Sequence, residues 1–315
     1  MKGSVTDTTF SVLQEHIVRT LLYYDIFNYP LKADEVFRFL GTNHVDCETV
    51  KGELIFLAEN AYIHRFGDFF SVRKDREAVA RRIKGNAKAE ATMTLAAKRA
   101  RLIGCFPFVR SVMASGSLSK NYMDENSDLD FFIVTQPGRL WIARTLLVLF
   151  KRIFLLNSHK YFCVNYFVDS SHLEIEEKNL FTATELATVI PLYGTNYYAQ
   201  LHHNNQWLNQ FFPNYSMRSI RKDDGRKEEF LKYFLEASLN NRLGNVLDQF
   251  FMKQTLHRWV RQYGKHYCES DFKVAFKTNK HASKNHPQNY QNKVMVLYQE
   301  KIRSFAEQFQ LQWKS

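Results

Sequence analysis

Apolar residues recur at helical spacing in "VLQEHIVRTLLYYDIF" (12–27), the first of three short helical patterns near the amino terminus. Asn28, Tyr29 and Pro30 break it, "LKADEVFRFLG" predicts a second short helix ended by Gly41, and "CETVKGELIFLAENA" predicts a third with Leu54, Phe56 and Leu57 facing inward. The period then changes. "YIHRFGDFFSVR" offers two short aromatic-rich strands around Gly67 and Asp68, the pattern of a hairpin. A helical stretch from about Asn86 to Gly104 leads to a strand through Val109, Val112 and Met113 that ends at small residues. "DLDFFIVT" predicts a second strand of this region, "QPGR" a turn, 140–156 an apolar helix and "KYFCVNYFVD" a third strand. Beyond residue 200 the pattern is mainly helical, most clearly over 226–263. The sum is an α+β fold in three regions: 1–85, a mixed core over 86–200 with a small mixed sheet, and a helical carboxy-terminal region over 201–315.

Composition narrows the class. In 315 residues, 45% hydrophobic and 15% aromatic content supports sizeable cores and argues against disorder. The greasiest stretch, "LWIARTLLVLFKRIFLL", is interrupted by Arg144, Lys151 and Arg152, so an amphipathic or buried helix is expected there and no membrane span. "MKGSVTDTTF" lacks the apolar core of a secretion signal. Cys47, Cys105, Cys163 and Cys268 form neither a metal-spaced pair nor a disulfide framework, and a cytoplasmic setting with reduced thiols is the expectation.

A formal charge of +11 favours an anionic partner such as a nucleotide, a nucleic acid or a phosphorylated metabolite. The charge concentrates in 73–101, which reads as a solvated helix face, and in 272–293, which reads as a basic loop carrying Lys277, Lys280 and Lys284. Three helices followed by a hairpin make residues 1–85 resemble a winged helix-turn-helix domain. Its third helix presents Glu48, Thr49, Lys51 and Glu53, which attract phosphate little, whereas the hairpin offers Arg65, Arg73 and Lys74. Nucleic-acid binding is therefore one candidate role of this region, and a structural or protein-contact role the other.

The chemistry concentrates in "MASGSLSKNYMDENSDLDFFIV" (113–134). Gly116 lets backbone approach an anion closely, and Ser117 offers a hydroxyl and an amide to a phosphate oxygen. Strand geometry sends Asp128 and Asp130 to one face, a few ångströms apart, where two like charges repel unless a cation neutralises them. Magnesium suits a few carboxylates supplemented by phosphate oxygens and water. These pieces point to metal-assisted phosphoryl transfer.

An apolar strand, Gly-Ser, a spacer of about ten residues and Asp-x-Asp entering the next strand resemble the signature of the DNA polymerase β-like nucleotidyltransferases, closest to the bacterial minimal and aminoglycoside-type enzymes. The resemblance covers roughly 95–180, including Lys120 and the "SDLD" of 127–130. It implies that Gly116 and Ser117 hold the phosphates of a nucleoside triphosphate with help from Lys120. It also implies that Asp128 and Asp130 bind two Mg2+ ions, with Mn2+ as an alternative. The superfamily's third carboxylate lies on the following strand. Here that strand has no acid at its middle, so either Asp169 turns back as the catalytic base or Asn165 faces the metals.

Glu185, on a helix among apolar residues, reads as a structural carboxylate bonded to backbone or Tyr193, with orientation of the acceptor as the alternative, and His172, His202 and His203 as surface or packing residues without metal-ligand spacing. The leading expectation is transfer of a nucleoside monophosphate from a triphosphate to an acceptor hydroxyl, the acceptor being open. The runner-up is a nucleotide-binding regulatory module that has lost turnover. The third is an RNA-directed terminal transferase whose basic runs track a phosphate backbone.

Overall fold

The computed structural model describes residues 10–156, 160–219 and 230–313. The amino-terminal "MKGSVTDTT" and the 226–229 start of the long helical run lie outside them.

The first unit begins with α1 (Val12–Asp25), whose Ser11 and Gln14 form a reciprocal capping box, Ser11 Oγ accepting from Gln14 N at 3.2 Å and Gln14 Oε1 from Ser11 N at 3.0 Å. Then come β1 (Leu31–Lys32), α2 (Ala33–Arg38), α3 (Cys47–Glu59), β2 (His64–Phe66) and β3 (Phe69–Ser71), with Gly67 at φ +65° in the hairpin turn. Leu31 and Lys32 were expected inside the second helix. Instead they pair with Phe70 and Phe69 and complete a three-stranded antiparallel sheet in the order β1-β3-β2. Leu54 and Leu57 are buried as expected, but Phe56 is 49% exposed because it falls on the opposite face of α3.

The 29-residue α4 (Arg76–Gly104) starts about ten residues earlier than its apolar pattern suggested, at an Asp75 cap whose carboxylate accepts from Ala78 N at 3.1 Å. It leads into the sheet that carries the motif: β4 (Val109–Ser115), α5 (Gly116–Ser119), β5 (Asp130–Thr135), α6 (Leu140–Phe154) and β6 (Cys163–Asp169). Two further strands join this sheet, β7 (Ile190–Tyr193) after α7 (Leu180–Thr188), and β8 (Ala282–Lys284). The strand order is β7-β4-β5-β6-β8, with β5 and β6 parallel and the other neighbours antiparallel. The remaining helices are α8 (Asn196–Asn204), α9 (Phe230–Leu239), α10 (Arg242–Tyr263), α11 (Glu269–Ala275) and α12 (Tyr290–Phe309), with a 3-10 turn at Gln206–Gln210.

Strand alternation sorts the side chains into two layers. Val112, Ala114, Phe131, Ile133, Val164 and Phe167 pack with Ala96, Trp141, Leu147 and Trp259 on one face. Met113, Phe132, Val134 and Val168 pack with Leu186, Tyr198 and Leu201 on the other. A third core belongs to the first unit, where Ile17, Leu21, Val50 and Leu54 meet Val294, Tyr298, Ile302 and Phe305 of α12. The stretch 201–315, expected as a helical region of its own, is thus shared among all three cores. The basic loop expected over 272–293 is likewise corrected: it contains α11 and β8, and both Lys277 and Lys284 are buried. Lys277 donates to Glu176 at 2.7 Å and Glu177 at 3.1 Å, carboxylates a hundred residues upstream. No described helix is long and apolar enough to cross a membrane.

Candidate active site

β4 and β5 run antiparallel with Ser115 opposite Asp130, so the turn that follows one strand meets the residue that starts the other. Gly116 occupies that turn at φ +62°, and a Cβ there would stand 2.4 Å from Asp130 Oδ2. Glycine is required twice, for backbone conformation and for the space the carboxylate fills. Ser117 follows in the first turn of α5 and is half-buried.

Asp128 lies two residues ahead of β5, yet the extended pairing continues through Leu129, which donates to Lys160 O at 2.9 Å and accepts from Cys163 N at 3.0 Å. Leu129 is buried in the core and directs its neighbours Asp128 and Asp130 the other way. The intervening loop is fixed by Asp124, whose Oδ1 accepts from Asn126 N at 2.9 Å and Ser127 Oγ at 2.7 Å. It is docked on α4 where Met123 N donates to Gly85 O at 3.1 Å, and a Cβ on Gly85 would strike the Tyr122 ring.

Electrostatics single out Asp130. Burial raises its carboxyl to about 6, and the Asp128 and Glu185 charges add to that, against a hydrogen bond from the Cys163 thiol and the charge of Lys120. Burial likewise pushes the Cys163 thiol up, which keeps it a neutral donor. Lys120 closes α5 with its ammonium donating to Gly116 O at 3.2 Å and paired with Glu185 Oε1 of α7 at 2.7 Å. Glu185, read from sequence as structural, therefore stands at the site as a third carboxylate whose nearest contact is a lysine.

β6 resolves the choice between Asn165 and Asp169. Phe131 pairs with Val164 and Phe132 with Tyr166, which makes Asn165 the extra residue of a bulge. Its Nδ2 reaches Asp130 Oδ1 at 3.2 Å and Cys163 Sγ at 2.9 Å. The bulge also reverses the facing of everything after it, so Phe167 joins the core on the face opposite Asp130. Asp169 shares the facing of Phe167 and pairs with Thr135, five residues beyond Asp130. At about 3.3 Å per residue that is roughly 16 Å along the sheet, so the assignment of Asp169 as catalytic base is corrected. Its carboxylate is instead engaged with Ser171, His172 and His281.

Sequence reasoning also missed β8, where Asn285 N donates to Asn165 O at 2.9 Å and Lys284 lies with its ammonium 5.8 Å from the centre of the Tyr166 ring. A three-residue strand in a lysine-rich stretch carries no periodicity to reveal it. Gly116, Ser117, Lys120, Asp128 and Asp130 are brought together; Asp169 is not. No protein-family model, curated protein or solved structure matches the chain.

Proposed function

We propose that the chain is a metal-dependent nucleotidyltransferase, moving a nucleoside monophosphate from a triphosphate to an acceptor hydroxyl with release of pyrophosphate. One observation carries the reading: Gly116 abuts Asp130 across the β4–β5 pair, so a backbone open to an anion and a cation-seeking carboxylate meet at adjoining ends of two central strands. The donor set fits Mg2+ in part. Asp128 and Asp130 are two oxygen ligands on one face, and a cation there would offset the burial and the like charges that raise the Asp130 carboxyl. When bound there, Mg2+ would screen the triphosphate and acidify the attacking hydroxyl.

Asp128 and Asp130 hold the metal in this reading. Gly116 and the Ser117 hydroxyl and amide receive phosphate oxygens, and Lys120 exchanges its Glu185 partner for a phosphate. Asn165 steadies Asp130 through its amide but has no basic group, so it takes no proton from the acceptor. Glu185, freed from Lys120, is the remaining carboxylate able to accept one. The test is incubation with each labelled triphosphate and Mg2+, following pyrophosphate and label on protein, RNA and small hydroxyl compounds. Pyrophosphate release that disappears in Asp128→Ala and Asp130→Ala is expected; release that persists in both sinks the reading.

Two features favour the second reading, a nucleotide-binding regulatory module: the amide at position 165 and the prior engagement of Lys120 by Glu185. It requires Mg2+-dependent triphosphate binding by calorimetry with no pyrophosphate formed. The winged-helix resemblance of the first unit would then supply a protein or nucleic-acid contact.

A further inference from the structure

At the far end of β6, on the face opposite Asp130, three metal-ligating side chains converge from two distant parts of the chain. Asp169 is fully buried, and among the described residues its ionic partners are two histidines, with no lysine or arginine. His281 Nδ1 stands 2.6 Å from Asp169 Oδ2, and His172 Nδ1 stands 3.1 Å from Oδ1. The three donor atoms lie within 4.8 Å of one another. The two imidazole rings stack with centroids 3.4 Å apart.

This arrangement is costly without a cation. A carboxylate removed from water calls for a full positive charge. Protonating one ring supplies it, but protonating both places two cations face to face at 3.4 Å. A divalent ion bound by both Nδ1 atoms and one carboxylate oxygen meets the need with neutral rings, each ring proton residing on Nε2. Ligands about 2.0–2.2 Å from a common tetrahedral ion lie a little over 3 Å apart, so donors already within 4.8 Å of one another need only small side-chain rotations to close on it. Ser171 N and Oγ donate to Asp169 Oδ1 at 3.0 and 2.8 Å, the kind of outer hydrogen bonding that orients a ligating carboxylate.

We propose that Asp169, His172 and His281 form a second metal site, distinct from the Asp128/Asp130 pair, selective for a borderline transition ion of the Zn2+ class. Two imidazoles and one carboxylate disfavour Mg2+, which prefers oxygen. Three protein ligands leave a position for water on the outer side, where His172 is 52% exposed. The site fastens the turn after β6 to the residue preceding β8, across a sequence separation of 112 residues. Its role is to hold the carboxy-terminal strand in the sheet.

The experiment uses the full chain stripped with chelator and titrated with Co2+ and, separately, Zn2+. One equivalent of Co2+ is expected to bind with visible ligand-field absorption, and saturating Zn2+ to raise the thermal midpoint. His172→Ala and His281→Ala should each weaken binding at least about tenfold and abolish the absorption, while Asp128→Ala and Asp130→Ala retain both. His172 is exposed enough that its alanine variant stays folded, which circular dichroism checks; should His281→Ala unfold, His172→Ala decides alone. Absence of stoichiometric binding by the wild type at micromolar metal, or binding untouched by His172→Ala, overturns the proposal.

Discussion

Asp130 couples the site to pH. Its carboxyl titrates at about 6 when folded against 3.8 when free, so the folded chain holds the proton more tightly than the unfolded one. Stability from this group is complete below the lower value and is lost as pH rises through the upper one, on the order of 1–3 kcal/mol. In metal-free protein, the stability of wild type relative to Asp130→Asn should therefore fall between about pH 4 and pH 7. Denaturant titrations at each pH measure it; a flat difference would mean the carboxylate is already neutralised. Adding Mg2+ at the top of that range should restore the wild type and leave the variant unchanged. The neighbouring glycine makes a steric prediction. Gly116→Ala combines φ +62° with a contact 2.4 Å from Asp130 Oδ2, so a loss of roughly 1–3 kcal/mol is expected, together with loss of Mg2+ binding as the carboxylate is pushed aside. A variant that binds Mg2+ normally would place the ion elsewhere.

Among the elements, β6 decides what the site can do, through one inserted residue. Asn165→Asp would add a carboxylate 3.2 Å from Asp130. Without metal it should destabilise the fold by like-charge repulsion, and with Mg2+ it should tighten metal binding and raise any turnover; calorimetric Mg2+ titration of the two proteins separates these effects. The strand itself was legible from "KYFCVNYFVD", because apolar runs declare strands, whereas the phase shift of a bulge is hidden in a strand buried on both faces. The same limit explains the basic segment. Lysines announce solvent until their partners are known, and those of Lys277 are Glu176 and Glu177, brought to it only by the fold. Lys277→Ala should thus cost stability, roughly 1–3 kcal/mol from the half-buried Glu177 left unpaired, more than it costs triphosphate affinity. Thermal melts beside nucleotide titrations distinguish the two. The motif at 113–130 was legible because both halves sit at strand ends that the hydrophobic pattern marks; the approach of Glu185 to Lys120 was not, being a contact between distant elements.

In the whole molecule, the first unit is joined to the motif by a polar seam. Arg82 of α4 is buried, pairs with Glu35 at 2.6 Å, donates to Pro30 O and lies 4.2 Å from the centre of the Tyr29 ring. Tyr29 Oη in turn donates to Lys120 O at 3.0 Å. Arg82→Ala should cost roughly 2–4 kcal/mol, because it strands a carboxylate and a carbonyl, and should expose the 121–128 loop to limited proteolysis. Cleavage no faster than in the wild type would show that the seam does not support that loop. A further tie to the first unit is α12, where Tyr298 packs against Tyr23 and Lys301 joins Arg73 on buried Asp25. That placement sets a schedule for synthesis. The ribosome delivers α1, α2, α3 and the hairpin first, but the apolar surface they share stays open until Val294 to Phe305 emerge. At about 5–20 residues per second the wait is roughly 10–45 s. During it a nascent chain displays Ile17, Leu21 and Leu54 without their cover from α12, and that interval is the window in which the exposed apolar face is open to aggregation.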